Sequence, residues 1–239
     1  MNNHKILFTS IITALVLWLV SACTDMNDKH DIYLSQGEQI YIGKVDSINV
    51  FPGKDRVKIR YWASDPRCKA VGFFWSPFND SIFTTINKTA STDSFDIVIG
   101  GETSDKIIKE GSYTFQIFTY DNKGHQSVPF EKIVRVYGDN YQNSLTNRVL
   151  LSKMYIAGSE TLILRFGQPL SEQDIGVLVS YTDVYGDEHT VTYPNEDLSS
   201  TVTITEVPDY EEVFYQTLYI PHPMAIDTFV TAPRAIDLF

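Results

Sequence analysis

The stretch "GSYTFQIFTY" constrains the fold more than any other part of this chain. Tyr113, Phe115 and Ile117 alternate with Thr114, Gln116 and Phe118. Successive side chains of a strand point to opposite faces, so a period of two sends one set into a core and the other outward. An amphipathic helix would need its apolar residues at every third or fourth position. "RVKIRYW" repeats the pattern, with Val57, Ile59 and Tyr61 set against Lys58, Arg60 and Trp62. "DNKG" follows the first stretch and reads as a hairpin turn, where Asn122 and Gly124 tolerate positive φ.

Short strands separated by turn signals extend this reading along the chain. "VDSINVF" ends at Pro52-Gly53, a turn pair, and "SDPR" and "SPFND" flank the apolar run "AVGFFW". That run is apolar on both faces, as a central strand would be. "SIFTTI", "SFDIVI" and "EKIVRVYG" complete seven strands over roughly 95 residues, the spacing of an all-β sandwich. Tyr113 opens the penultimate strand and resembles the tyrosine corner of Greek-key sandwiches. After a polar, turn-rich boundary, "RVLLSKMYI", "TLILRF", "IGVLVSYTD", "HTVTYP", "STVTITEV" and "VFYQTLYI" read as six further strands. The fold class expected is therefore all-β, two tandem immunoglobulin/fibronectin type III-like β-sandwiches. Residues 38–138 form the first, 139–147 a linker and 148–222 the second. The closing residues 223–239 are proline-containing with no strong strand signal, and are expected to be an irregular tail.

The N-terminus reads as an address rather than as fold. Residues 6–20 are an apolar run too short for a membrane span, which needs about 20 residues, but suited to a signal-peptide core. Val20-Ser21-Ala22-Cys23 resembles the bacterial lipobox, in which the cysteine thiol receives a diacylglycerol and becomes the first residue. The alternative is a plain secretory signal with an incidental cysteine. In the lipobox reading residues 1–22 are a lipoprotein signal peptide, and residues 23–37 are the lipidated Cys23 with a polar, flexible tether. Several fatty chains on one residue give stable anchoring. Cys68 is then the one remaining cysteine, so no intrachain disulfide forms. Its place at a strand start suits a small packing residue better than a catalytic thiol.

Composition excludes some partners. The net charge is −11, which repels phosphate backbones and argues against nucleic acid. The histidines His4, His30, His125, His189 and His222 are dispersed and lack a metal-ligand spacing, so neither metal nor cofactor is expected. No nucleophile elbow or phosphate loop is present. A hydrolase would need two carboxylates placed across a bond, and none sits in a recognisable catalytic frame. The chain is thus read as a binding protein and not an enzyme. With 14 Tyr and 14 Phe it is rich in flat side chains. Trp62, Trp75, Phe78 and Tyr120 are the candidate ligand-binding residues. Aromatic faces bury the apolar side of a sugar beside amides and carboxylates. For Trp75 the competing reading is the core tryptophan of the first sandwich; for Trp62 it is burial at the strand end. An exposed aromatic patch serves equally as a protein-docking surface.

"GKVDSINVFPGKDRVKIRYWASDPR", "GSYTFQIFTYDNKGHQSVP", "VYGDNYQNSL" and "YQTLYIPHPMAIDTF" resemble a family of Bacteroidetes surface lipoproteins known only as a domain of unknown function. The resemblance implies an outer-membrane, surface-displayed lipoprotein accessory to a polysaccharide-utilisation system. Its implied partners are membrane lipid through Cys23, a polysaccharide and an outer-membrane importer complex. It implies no catalytic or binding residues. The alternative is a structural or adhesive envelope protein whose sandwiches act as spacers and docking modules.

Overall fold

The computed structural model describes residues 40–77, 79–90, 93–102, 104–199, 201–209 and 212–238. The signal sequence, Cys23, the tether and Phe78 lie outside them. In the first sandwich, β1 (Ser47–Pro52), β2 (Arg56–Trp62) and β5 (Ser94–Gly100) pair in the order β1-β2-β5. Against them lie β3 (Ala70–Ser76), β4 (Asp80–Thr85), β6 (Gly111–Tyr120) and β7 (Phe130–Val136), in the order β4-β3-β6-β7. All these pairs are antiparallel. The alternating residues meet between the sheets: Val57, Ile59 and Tyr61 face Val71, Phe73, Phe115 and Ile117. The Tyr113 hydroxyl donates to the Lys109 carbonyl at 2.8 Å and accepts from the Lys109 N–H at 3.2 Å. The expected tyrosine corner is thus a closed hydrogen-bonded loop. In the hairpin after β6, Gly124 takes the left-handed conformation, and the Asp121 carboxylate accepts the N–H groups of Lys123 and His125.

The second sandwich has the same three-against-four plan. β8 (Leu150–Ile156), β9 (Thr161–Phe166) and β12 (Val202–Ile204) form one sheet in the order β12-β9-β8. The other runs β11 (Glu188–Pro194), β10 (Asp174–Thr182), β13 (Val213–Tyr219) and β14 (Phe229–Val230), with β15 (Arg234–Ile236) also on β13. The closing residues are therefore not irregular throughout: after the turns of residues 223–228, Phe229–Val230 and Arg234–Ile236 form the last strand of this sheet, broken in two. Phe229 pairs with Tyr219 and Ile236 with Val213, and both Phe229 and Ile236 are buried. Pro233 has no N–H to give the ladder, so the strand is interrupted there. Thr231 bridges the gap, its hydroxyl accepting from the Thr217 N–H at 2.8 Å and its own N–H donating to the Thr217 carbonyl at 3.1 Å.

A buried ion pair ties this sandwich together. The Arg148 side chain is 1% exposed and that of Asp174 is fully buried. Arg148 Nε donates to Asp174 Oδ2 at 3.0 Å, and its terminal nitrogen reaches both Asp174 Oδ1 and Asn195 Oδ1. Asp174 Oδ2 also accepts from the Leu170 N–H, while the Arg148 N–H and C=O bond to the Thr217 and Tyr215 hydroxyls. A charge taken out of water needs this full set of partners.

The two sandwiches meet through residues expected to be linker and tail. Residues Asp139–Ser144 form a short helix, α1, whose first N–H groups, at Asn140 and Tyr141, donate to the Glu110 carboxylate of the first sandwich at 2.7 and 2.9 Å. Gln142 of α1 takes a hydrogen bond from Lys54 Nζ and gives one to the Val230 carbonyl. Tyr141 packs edge-on against Tyr137 and Phe229. Asp227 reaches back to the β1–β2 turn, accepting from the Lys54 N–H at 2.7 Å and from Arg56 Nε at 2.8 Å. The Ile226 N–H donates to the Pro52 carbonyl at 2.9 Å. A Cβ at position 53 would lie 2.4 Å from Asp227 Oδ2 and 2.9 Å from the Ile226 side chain, so any other residue there would displace this contact. Ile42–Phe239 is accordingly one compact unit.

Two outcomes follow. Asp174→Ala leaves the buried Arg148 charge with the Asn195 amide oxygen but no counter-charge, and should cost about 3–5 kcal/mol of stability in urea unfolding. The Arg56 hydrogen bond holds the Asp227 carboxyl below its usual range. Its stabilisation is present above the unfolded carboxylate pKa of about 3.9 and is lost as pH falls through the folded value. In thermal melts from neutral to acid pH, Asp227→Asn should lower the midpoint at neutral pH and reduce the acid loss; parallel profiles would contradict this.

Candidate functional site

The pleat of β3 and β6 that fills the first core also fixes what faces solvent. With Val71, Phe73 and Trp75 turned inward, Gly72 and Phe74 face out. With Phe115, Ile117 and Thr119 inward, Gln116, Phe118 and Tyr120 face out. Register then sets neighbours: Gly72 lies between Phe83 of β4 and Phe118 of β6, and Phe74 lies between Ser81 and Gln116. Four rings gather around the glycine. Phe74 meets Phe83 at 5.4 Å and Phe118 at 5.6 Å, both edge to face, and Phe83 meets Tyr120 at 5.7 Å. A Cβ at Gly72 would come within 2.8 Å of the Phe83 ring, 3.0 Å of Tyr120 and 3.1 Å of Phe74. The missing side chain is what lets the rings close over the strand. Phe83 stands 57% exposed at the top of the group.

A groove of about 400 Å³ adjoins the rings, walled by Phe74 and Phe118 and carrying Asn79, Asp80, Thr114 and Gln116. Asp80 Oδ1 accepts from Lys106 Nζ at 2.6 Å and from the Ser81 N–H at 2.7 Å. The lysine hydrogen bond, followed by the backbone one, lowers the pKa of this carboxyl. It is therefore an ionised acceptor at neutral pH. Gln116 Nε2 donates to Glu131 Oε1 at 2.7 Å, so the amide is held in place with its oxygen unused by that bond. Flat rings beside fixed amide and carboxylate groups suit a ligand with an apolar face and a hydroxylated edge.

The candidates named from the sequence do not converge. Tyr120 lies on this face, half-buried against Phe83. Trp75 is 2% exposed and stacks on Phe115 at 5.6 Å inside the core, the competing reading given for it, although it also lines the groove beside the rings. Its odd-numbered phase on β3 is the inward one, so its ring belongs to the core. Trp62 sits half-buried on the outer side of the other sheet, level with Ser47 and Ser94. Beside it Arg60 grips Asp96 through Nε and its terminal nitrogen, at 2.7 and 2.8 Å. Trp62 and Tyr120 therefore belong to opposite surfaces. Phe78 is outside the described residues. Phe74, Phe83 and Phe118 are not among the sequence candidates, although Phe118 falls in the polar, outward phase of the β6 alternation. Cys68 is buried, and that burial raises the pKa of its thiol, which makes it a poor nucleophile.

No curated protein matches this sequence. Among solved structures, the two-domain fibronectin type III segment of chicken tenascin is similar at 13% identity and a TM-score of 0.33, with 81% of this chain and 98% of that one covered. The FN1–FN3 domains of chicken CNTN1 are similar at 11% identity and a TM-score of 0.42, with 83% and 68% covered. The family model DUF4998, described as a domain of unknown function, matches residues 23–229. The chain that carries this aromatic face belongs to that family.

Proposed function

We propose that this chain is a non-catalytic, lipid-anchored surface protein that holds a polysaccharide on the outer face of β4-β3-β6-β7. The observation that carries the reading is the group of rings around Gly72 with the polar groove at its side. Phe83 and Phe74 supply the apolar contact, and Asn79, Asp80 and Gln116 take up the hydroxyl groups. The lipobox-like sequence ending at Cys23 supplies the membrane anchor, at the outer membrane and facing outward. A role as accessory to a polysaccharide importer is the setting in which such a face is useful. A second reading, spacer and docking module, is supported by the hydrogen-bonded joint between the sandwiches.

A glycan-array screen of the chain from residue 24 onward, followed by titration of any hit, separates the two readings. The glycan reading expects a hit whose affinity falls about tenfold or more in Phe83→Ala. Unfolding stability of that variant should fall by only about 1–2 kcal/mol, the loss of its edge contacts with Phe74 and Tyr120, so it stays folded. Trp75→Ala should instead cost about 3–5 kcal/mol as a core truncation. No hit on any glycan, or a hit indifferent to Phe83→Ala, would move the function off this face.

A further inference from the structure

We infer that the groove beside the rings selects an uncharged polysaccharide: it takes sugar units that offer hydroxyl groups and excludes units bearing a carboxylate or a sulfate. The inference rests on the glycan reading above and names the substrate class for the same site. Register sets the row of side chains that meets the ligand. Ser81, Phe74, Gln116 and Glu131 stand opposite one another across β4, β3, β6 and β7. Neighbouring strands lie about 4.8 Å apart, so a ring, an amide and a carboxylate follow one another along a line of about 14 Å. Asp80 and Asn79 close the β4 side of the groove, and Ser76 and Thr114 lie opposite each other one step along the strands.

The hydrogen-bonding capacity left over at this row decides what it can take. Asp80 Oδ1 accepts both the Lys106 ammonium and the Ser81 N–H, which leaves Oδ2 open among the described residues. Gln116 spends one amide hydrogen on Glu131 Oε1, which leaves its own oxygen and Glu131 Oε2 open. Among the described residues no cation pairs with Glu131. No Lys or Arg lines the groove, and Lys106, which reaches Asp80, is committed to that carboxylate. The donors that remain are neutral: the Asn79 amide, the second amide hydrogen of Gln116 and the hydroxyls of Ser76 and Thr114. A sugar hydroxyl both donates and accepts, so it satisfies either kind of group. An anionic substituent only accepts. It would give up water for a groove with no free cation, next to the Glu131 carboxylate that has no counter-charge, and a charge desolvated without a partner is costly. The net charge of −11 also repels polyanions at long range, but salt screens that part.

Titration of the full chain with polysaccharides matched in backbone and differing in charge tests this. The pairs are dextran against dextran sulfate, laminarin against sulfated laminarin, and methyl-esterified homogalacturonan against its free acid. Every backbone that binds should bind about tenfold or more tightly in its uncharged form. The ratio should persist in about 1 M salt, where the Debye length is about 3 Å and only local contacts act. Glu131→Lys sets a cation beside the Gln116 amide and should narrow the ratio. Glu131→Gln, which keeps an oxygen for Gln116, should narrow it less. Binding of no backbone in either form would overturn the glycan reading and this inference with it. An uncharged form bound no more tightly than its charged partner, a ratio lost at high salt, or a ratio unmoved in both Glu131 variants would overturn the inference alone and leave glycan binding in place.

Discussion

The surface of the first sandwich depends on one constraint, the alternation of side chains along β3. Val71, Phe73 and Trp75 must go inward to close the core, and that leaves Gly72 and Phe74 outside. The core then decides the outer face as much as it decides itself. A residue with a Cβ at position 72 would keep Phe83, Phe74 and Tyr120 apart. Glycine within a strand weakens it and often marks a close approach. Here the approach is by three rings from two neighbouring strands and from β3 itself.

Polar contacts do for the two-sandwich assembly what apolar contacts do for each core. Asp227 satisfies the turn of the first sandwich from the last strand region of the second, and Glu110 caps α1 in return. These bonds cross between sandwiches in both directions, with Tyr141 and Phe229 packed between them. The joint therefore holds the proposed binding face in a fixed relation to the second sandwich. Arg148 and Asp174 play the corresponding part inside the second sandwich, where the segment leading into β8, β10, β13 and the turn after β11 converge on one buried pair.

The strands were legible wherever side chains alternated strictly. "RVKIRYW" and "SYTFQIFTY" appear as β2 and β6, and the hydroxyl of Tyr113 closes the corner its position suggested. The last strand was not legible, because its pieces are two and three residues long and Pro233 breaks the pattern. Period-two reasoning has nothing to work on at that length, and the gap is closed by a threonine hydroxyl rather than by the ladder. The role of Asp227 was hidden for a similar reason, since its partners Lys54 and Arg56 are 173 and 171 residues away. By residue type, tryptophan is a stronger candidate ligand residue than phenylalanine. Yet the phase of each strand, not the residue type, separates Trp75 from Phe74.

The central claim is that the outer face of β4-β3-β6-β7 is the ligand surface. The most direct measurement is an NMR titration of ring-labelled protein with the glycan selected by the array. The account predicts that the Phe74, Phe83, Phe118 and Tyr120 ring signals move together with saturation while the Trp62 indole stays still. Movement of Trp62 with the four rings unchanged would contradict it and place the ligand on the opposite sheet.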